Sequence, residues 1–173
     1  FIGYARRDDI EFDIRNCEIG KLPNSYYELI MTQVMSSRII KWLEGKEKTI
    51  VYFPYAQNAF DASRGVKGFV GIKIDPRIGV FTGKNVDELS TEMFNEKKRE
   101  TFDKFRKGEQ LIIYATKAFG MGVDIDDVQN VYHYAVSGNL CDYIQEIGRA
   151  ARKPGMTGIA ETDFFFNDMI YMN

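Results

Sequence analysis

The succession of elements legible in this chain predicts an α/β fold built on a central, mostly parallel sheet. Three observations carry that expectation. Short continuous apolar runs, Thr49–Phe53 and Gln110–Ala115, have the character of strands covered on both faces. Longer segments with apolar residues at helical spacing lie between such runs. Strands alternating with helices need crossover connections, and these favour parallel neighbours.

In chain order, Asp9–Arg15 alternates apolar and polar residues, the pattern of an edge or half-buried strand. Pro23, Asn24 and Ser25 open a helix, with Ser25 and Glu28 spaced as a capping box. Tyr27, Ile30, Met31, Val34 and Met35 give it an apolar face, and Gly45 is placed to end it. Thr49–Phe53 follows as a buried strand. Ser63–Pro76 is rich in glycine and shows no clear period. Ile78–Phe81 reads as a strand, and Met93–Lys107 as a helix with Phe94, Phe102 and Phe105 inward. Gln110–Ala115, Val128–Tyr134 and Gly158–Phe166 complete the strands, with a helix over Leu140–Arg149. No linker, repeat or low-complexity stretch interrupts the 173 residues, a length that fits one domain.

Composition narrows the function less than the fold. Basic residues number 23 against 25 acidic, which excludes a polycationic tail. Charge alone describes an ordinary soluble domain, although a few loops can still grip phosphates on a neutral body. Cys17 and Cys141 form no C-x-x-C pair, so no zinc site is indicated, and free buried thiols are expected. No apolar run approaches the ~20 residues that span a bilayer. Phe1 rather than Met at the start points to a piece of something longer.

Two stretches carry chemistry. Ala115–Ile125 (ATKAFGMGVDI) follows directly on a buried strand, where ligands of open parallel sheets bind. Gly120 and Gly122 would let the backbone approach a ligand, and Asp124 could accept hydrogen bonds from a pair of ribose hydroxyls. Turn glycines and a turn aspartate explain the same residues equally well. In Tyr143–Arg152 (YIQEIGRAAR), Asn139 and Asp142 mark the helix start. If the helix continues, Gln145, Arg149 and Arg152 share a face at i, i+4 and i+7. Two guanidiniums there suit a phosphate, though arginines in a last turn also complement a helix dipole.

The segment from Lys98 to Ile125, followed by Tyr143–Arg152, resembles the C-terminal half of a superfamily-two helicase motor. The first stretch resembles motif V, and the second motif VI with its Q-x-x-G-R-x-x-R pattern. Ala118–Gly122 (AFGMG) is similar to the RecQ-like branch, whereas Val123-Asp124 stands where RecQ helicases usually carry Ile-Asn. Thr49–Pro54 resembles motif IV, and Phe81-Thr82-Gly83 a short nucleic-acid-contacting loop. The resemblance runs over about residues 10–170. It implies a RecA-like three-layer sandwich of the P-loop NTPase type, with residues 1–173 forming the second lobe of a longer helicase.

The resemblance also implies roles. Arg149, Arg152 and Gln145 would serve catalysis, with Arg152 as the finger and Arg149 also holding phosphate in the ground state. Gly122, Asp124 and Gly148 would meet ATP. Thr82, Gly83, Arg99 and Thr116 would serve nucleic acid, Arg99 by bracing the loops. The implied partners are single-stranded or duplex nucleic acid, DNA ahead of RNA, and a first RecA-like lobe in the same polypeptide. A cytoplasmic or nucleoid-associated location would follow. An RNA helicase, a translocase that does not separate strands, and an interaction domain without ATP coupling are the rival readings.

ATP hydrolysis also needs a G-x-x-x-x-G-K-[ST] loop and a carboxylate pair for Mg²⁺, and neither is in this chain. Gly45–Thr49 places Glu47 after Lys46 and joins a helix to a strand, the reverse of a phosphate loop. Mg²⁺ and the ATP phosphates would therefore be held by the first lobe, leaving this chain inactive alone. His133, the single histidine, is expected in the core or at a sheet end. The basic run Lys97–Lys107 is expected to be a solvated helix face.

Overall fold

The computed structural model describes residues 7–17, 23–120, 124–135 and 137–165. Six strands form one sheet: β1 (Ile10–Asn16), β2 (Thr49–Tyr52), β3 (Ile78–Phe81), β4 (Ile112–Ala115), β5 (Asn130–His133) and β6 (Gly158–Phe164). Their order is β1-β6-β5-β2-β4-β3, and every pairing is parallel. The central strands β2, β4 and β5 are buried along their whole length, as strands covered on both faces are.

Helices α1 (Asn24–Glu44), α2 (Ala56–Arg64), α3 (Thr91–Lys107) and α4 (Leu140–Ile147) fill the connections. Two apolar layers result, one on each face of the sheet. On one face Met31, Met35, Ile39 and Trp42 of α1 pack on Val51, Tyr114 and Tyr132, joined by Ala59 and Ala62 of α2. On the other, Phe105 of α3 and Ile147 of α4 pack with Phe119 on Ile50, Ile113 and Val131. This is the three-layer sandwich the sequence predicts.

Several local expectations fail for physical reasons. α1 begins at Asn24 with Pro23 at its cap and no side-chain cap bond, so Ser25 lies inside the first turn rather than at the cap position a capping box with Glu28 needs. Gly45 keeps a right-handed conformation, and the left-handed residue that turns the chain is Lys46, with φ 55°. α2 was not foreseen. Its buried face is Ala56, Ala59, Asp61 and Ala62, residues too small or too polar to mark a period. It ends in the left-handed Gly65, and a single 3-10 turn at Lys67–Phe69 follows, so Ser63–Pro76 is irregular as its composition implies.

β1 inverts the usual rule of apolar residues inward. Phe12 and Ile14 are exposed, while Asp13 lies against Arg38 on the α1 face. Arg38 itself is buried. It forks onto Asp163 at 2.6 and 2.8 Å and reaches Glu161 at 2.7 Å. Trp42 Nε1 donates to the second oxygen of Glu161 at 2.9 Å. Burial alone would lower the Arg38 pKa, but the hydrogen bonds and charge of Asp163, with Glu161, raise it. Burial pushes Glu161 upward, against the pull of Arg38 and Lys41. The cluster fastens α1 to β6.

Candidate interlobe nucleotide and nucleic-acid site

The two predicted stretches meet beyond the carboxyl ends of the strands. α4 starts where expected: the Asn139 side chain accepts from Asp142 N–H at 2.9 Å and donates to the Asp142 carboxylate. It does not continue to Arg152. Regular helix stops at Ile147, the chain tightens through Arg149 N–H to Glu146 C=O and Ala150 N–H to Ile147 C=O, and Ala151 then turns left-handed at φ 52°. The helical i, i+4, i+7 face for Gln145, Arg149 and Arg152 is therefore corrected. A turn after the helix sets the arginines.

That turn is tied to the loop before β5. Ala151 N–H bonds Val128 C=O at 3.0 Å, and Lys153 N–H bonds Asp126 C=O at 2.9 Å. Arg152 Nε reaches back to Gly148 C=O at 3.2 Å, which also satisfies a helix-end carbonyl. A Cβ on Gly148 would sit 3.1 Å from the carbonyl oxygen of Ile144, a tight contact. Partial burial depresses the Arg152 pKa, the neighbouring charge of Arg149 depresses it further, and Asp124 opposes both. Arg149, Arg152 and Asp124 thus share one electrostatic neighbourhood. Gln145 is exposed on α4. Gly122 lies outside the described residues.

Beside the turn, a cleft of about 280 Å³ is lined by Tyr52, Tyr55, Thr116, Lys117, His133 and Glu146, among others. His133 closes β5 and is 1% exposed, as a sheet-end histidine should be. Its partner was missed by sequence reasoning. Glu146, next to Gln145, turns inward and accepts from Ser137 Oγ at 2.6 Å and pairs with His133 Nε2 at 2.9 Å. The carboxylate acceptor selects the tautomer with the proton on Nε2. The available signal was spacing, since Tyr143, Glu146, Ile147 and Ala150 fall on the inward helical face. Burial raises the pKa of Tyr52, which stacks on His133 with centroids 5.5 Å apart.

The loops after β3 and β4 touch. Gly83 N–H points at Thr116 Oγ1 at 3.4 Å, and a Cβ on Gly83 would stand 2.9 Å from that of Ala118. Thr82 is buried, and its hydroxyl donates to Lys84 C=O at 2.9 Å, so it shapes the loop from within. Gly83 and Lys84 are the exposed groups of the turn. Arg99 is exposed on α3. The cation lying against β3 is Lys98, 4.7 Å from the centroid of Phe81. Lys48, in the glycine-lysine stretch that mimics a phosphate loop, is spent on Asp127 at 2.7 Å and on Arg106 C=O.

An all-parallel six-stranded sheet with helices on both faces and its loops gathered at the strands' carboxyl ends defines a RecA-like lobe. The chain belongs to the family of helicase conserved C-terminal domains, whose match covers residues 31–154. Among solved structures it is similar to domain 2 of the DEAD-box helicase Mss116p bound to an RNA duplex, with TM-score 0.62 and 20% identity over 94% of this chain and 57% of that one. The Escherichia coli DEAD-box protein SrmB gives TM-score 0.63 and 17% identity over 96% and 83%. At these identities the likeness is one of fold.

Sequence relatives fall in two groups. ATP-dependent DNA helicase Q1 of Pongo abelii is 30% identical over 135 residues, 75% of this chain and 19% of its own length. ATP-dependent RNA helicase DBP2 of Encephalitozoon cuniculi is 38% identical over 69 residues, 40% of this chain and 14% of its own. The chain therefore spans less than a fifth of either relative.

Proposed function

We propose that this chain is the second motor lobe of an ATP-dependent helicase, completing an ATP site whose phosphate loop and Mg²⁺ ligands lie on a first lobe of the same polypeptide. The observation that carries the reading is the turn after α4, which sets Arg149 and Arg152 in one neighbourhood where the Arg149 charge lowers the Arg152 pKa. Two guanidiniums in one neighbourhood suit a triphosphate, because each stays charged and presents a planar fork of donors. Arg152 is the finger for charge developing on the transferred phosphoryl group, and Arg149 shares the ground-state phosphate. Related NTPases gain roughly 10³–10⁵ in rate from such an arginine. Asp124 faces the ribose hydroxyls, and Gln145, Gly148 and Gly122 complete the nucleotide side.

Nucleic acid runs over the joined loops after β3 and β4, held together by the Gly83 N–H to Thr116 Oγ1 contact, with Gly83 and Thr116 along the track, Thr82 shaping the turn and Arg99 at the rim. Such contacts go to the sugar–phosphate backbone and give grip without reading sequence. The substrate is DNA, in keeping with the AFGMG stretch and with the extent of the alignment to a DNA helicase of the Q class. The equally plain similarity to RNA helicases supports RNA as the second reading. A cytoplasmic or nucleoid location fits either.

Fluorescence anisotropy with dT and rU oligonucleotides over a salt series tests the track. Weak binding is expected, stronger to dT, with a log–log slope of about 0.7 per phosphate neutralised. The same protein should release no phosphate from ATP. Tight, salt-insensitive binding, or Mg²⁺-dependent turnover by the chain alone, would contradict the assignment.

A further inference from the structure

β3 is an outer strand of the sheet, paired on one side only, with β4. Along a strand, main-chain groups face its two sides alternately. The carbonyls of Arg77 and Phe81 accept from Leu111 and Thr116 on the β4 side. Ile78 and Val80 therefore face outward. The Ile78 N–H is taken by Asp75 C=O at 3.0 Å. Among the described residues, the Ile78 carbonyl and both main-chain groups of Val80 meet no partner on the outer side.

Proteins usually cover or blunt such an edge. Here a cavity of about 310 Å³ runs along it instead, with Phe60 and Arg64 of α2 on one wall and Phe94, Lys97 and Lys98 of α3 on the other. Two carboxylates face the same space, but both are engaged: Asp87 by Arg64 and Glu100 by Lys104. Lys98 lies over the rings of Phe81 and Phe94, at 4.7 and 5.4 Å, and Lys97 is exposed. The uncompensated charge of the groove is positive.

We propose that this edge docks an extended acidic segment of a partner protein, which adds a seventh strand beside β3. The partner's main chain bonds the Ile78 carbonyl and the two groups of Val80. Alternate apolar side chains rest on the α2 wall at Phe60, and the acidic side chains between them turn to the α3 wall and reach Lys97 and Lys98. A nucleic-acid strand fits the floor less well, because the open groups there include both a donor and acceptors, whereas a phosphate backbone offers acceptors only. An interface of this size is small, so the complex is transient.

The test uses a fluorescein-labelled peptide of about eight residues, an ordinary strand length, alternating glutamate with valine. Saturable anisotropy is expected with this chain, and none with the lysine–valine counterpart. The double variant Lys97→Glu, Lys98→Glu should weaken binding by on the order of tenfold. Val80→Pro removes an outward N–H while leaving the β4 ladder intact, and should abolish it. The proposal is overturned if the glutamate–valine peptide does not bind, or binds the lysine variant unchanged. It is equally overturned if the lysine variant loses oligo-dT binding instead, or if the edge is occupied by a second copy, seen as a dimer in sedimentation that Val80→Pro dissolves. The peptide and sedimentation outcomes do not depend on the interlobe site.

Discussion

Arg38→Met should be among the most damaging single substitutions outside the site. Methionine keeps most of the side-chain stem but removes the cation from Asp163, at 2.6 and 2.8 Å, and from Glu161, at 2.7 Å. Both carboxylates are almost wholly buried, at 2% and 0% exposure. Breaking a buried ion cluster on one side typically costs about 3–5 kcal/mol, because the remaining charge stays out of water. For a chain of this size that is roughly 6–20 °C in Tm. The loss should depend on pH in a definite sense. Burial already holds the Glu161 pKa above its ordinary value, and Arg38 opposes that rise. Without Arg38 it climbs further, so the folded variant takes up a proton more readily than the unfolded chain. The variant should recover stability as pH falls, and the gap to the parent should narrow between about pH 7 and pH 5. Thermal unfolding by circular dichroism across that range decides the matter. A loss below about 1 kcal/mol, or a gap that widens on acidification, would refute the reasoning.

Gly83→Ala places a Cβ 2.9 Å from that of Ala118, so the loops after β3 and β4 must part. Oligonucleotide affinity should fall severalfold while stability falls by about 1–3 kcal/mol, and unchanged affinity would remove Gly83 from the track. Glu146→Leu strands the His133 Nε2–H and the Ser137 hydroxyl and should cost about 2–4 kcal/mol in urea unfolding. Glu146→Gln keeps an acceptor and should cost less than half as much. Equal losses for the two would show that volume, rather than the hydrogen bonds, holds α4.

The architecture was legible because the central strands β2 and β4 are buried on both faces and announce themselves as short, largely apolar runs. α1 and α3 were legible because large residues, Met35, Trp42 and Phe105 among them, mark their buried faces. α2 was silent because alanines do that work, and an alanine every third residue carries little hydrophobic contrast. The ion cluster was invisible for a different reason. Arg38 meets carboxylates 123 and 125 positions away, and local spacing holds no trace of such a pairing. In the site, residue identities were readable, but the conformation that unites them was not. Ala151 adopts a left-handed turn that its sequence gives no reason to expect, and this turn, rather than a continued helix, sets Arg152.

The central claim is that Arg152 acts on charge that appears only as phosphate is transferred. The direct measurement is nucleotide affinity and steady-state ATP turnover on one preparation of Arg152→Ala, made in the polypeptide that joins this lobe to its first lobe. Turnover should fall by on the order of 10³ or more while nucleotide affinity stays within a few-fold of the parent. Arg152→Lys should not restore it, since a point charge lacks the planar fork. Near-normal turnover, or turnover lost only in proportion to affinity, would show that Arg152 does no more than cap Gly148 at the end of α4.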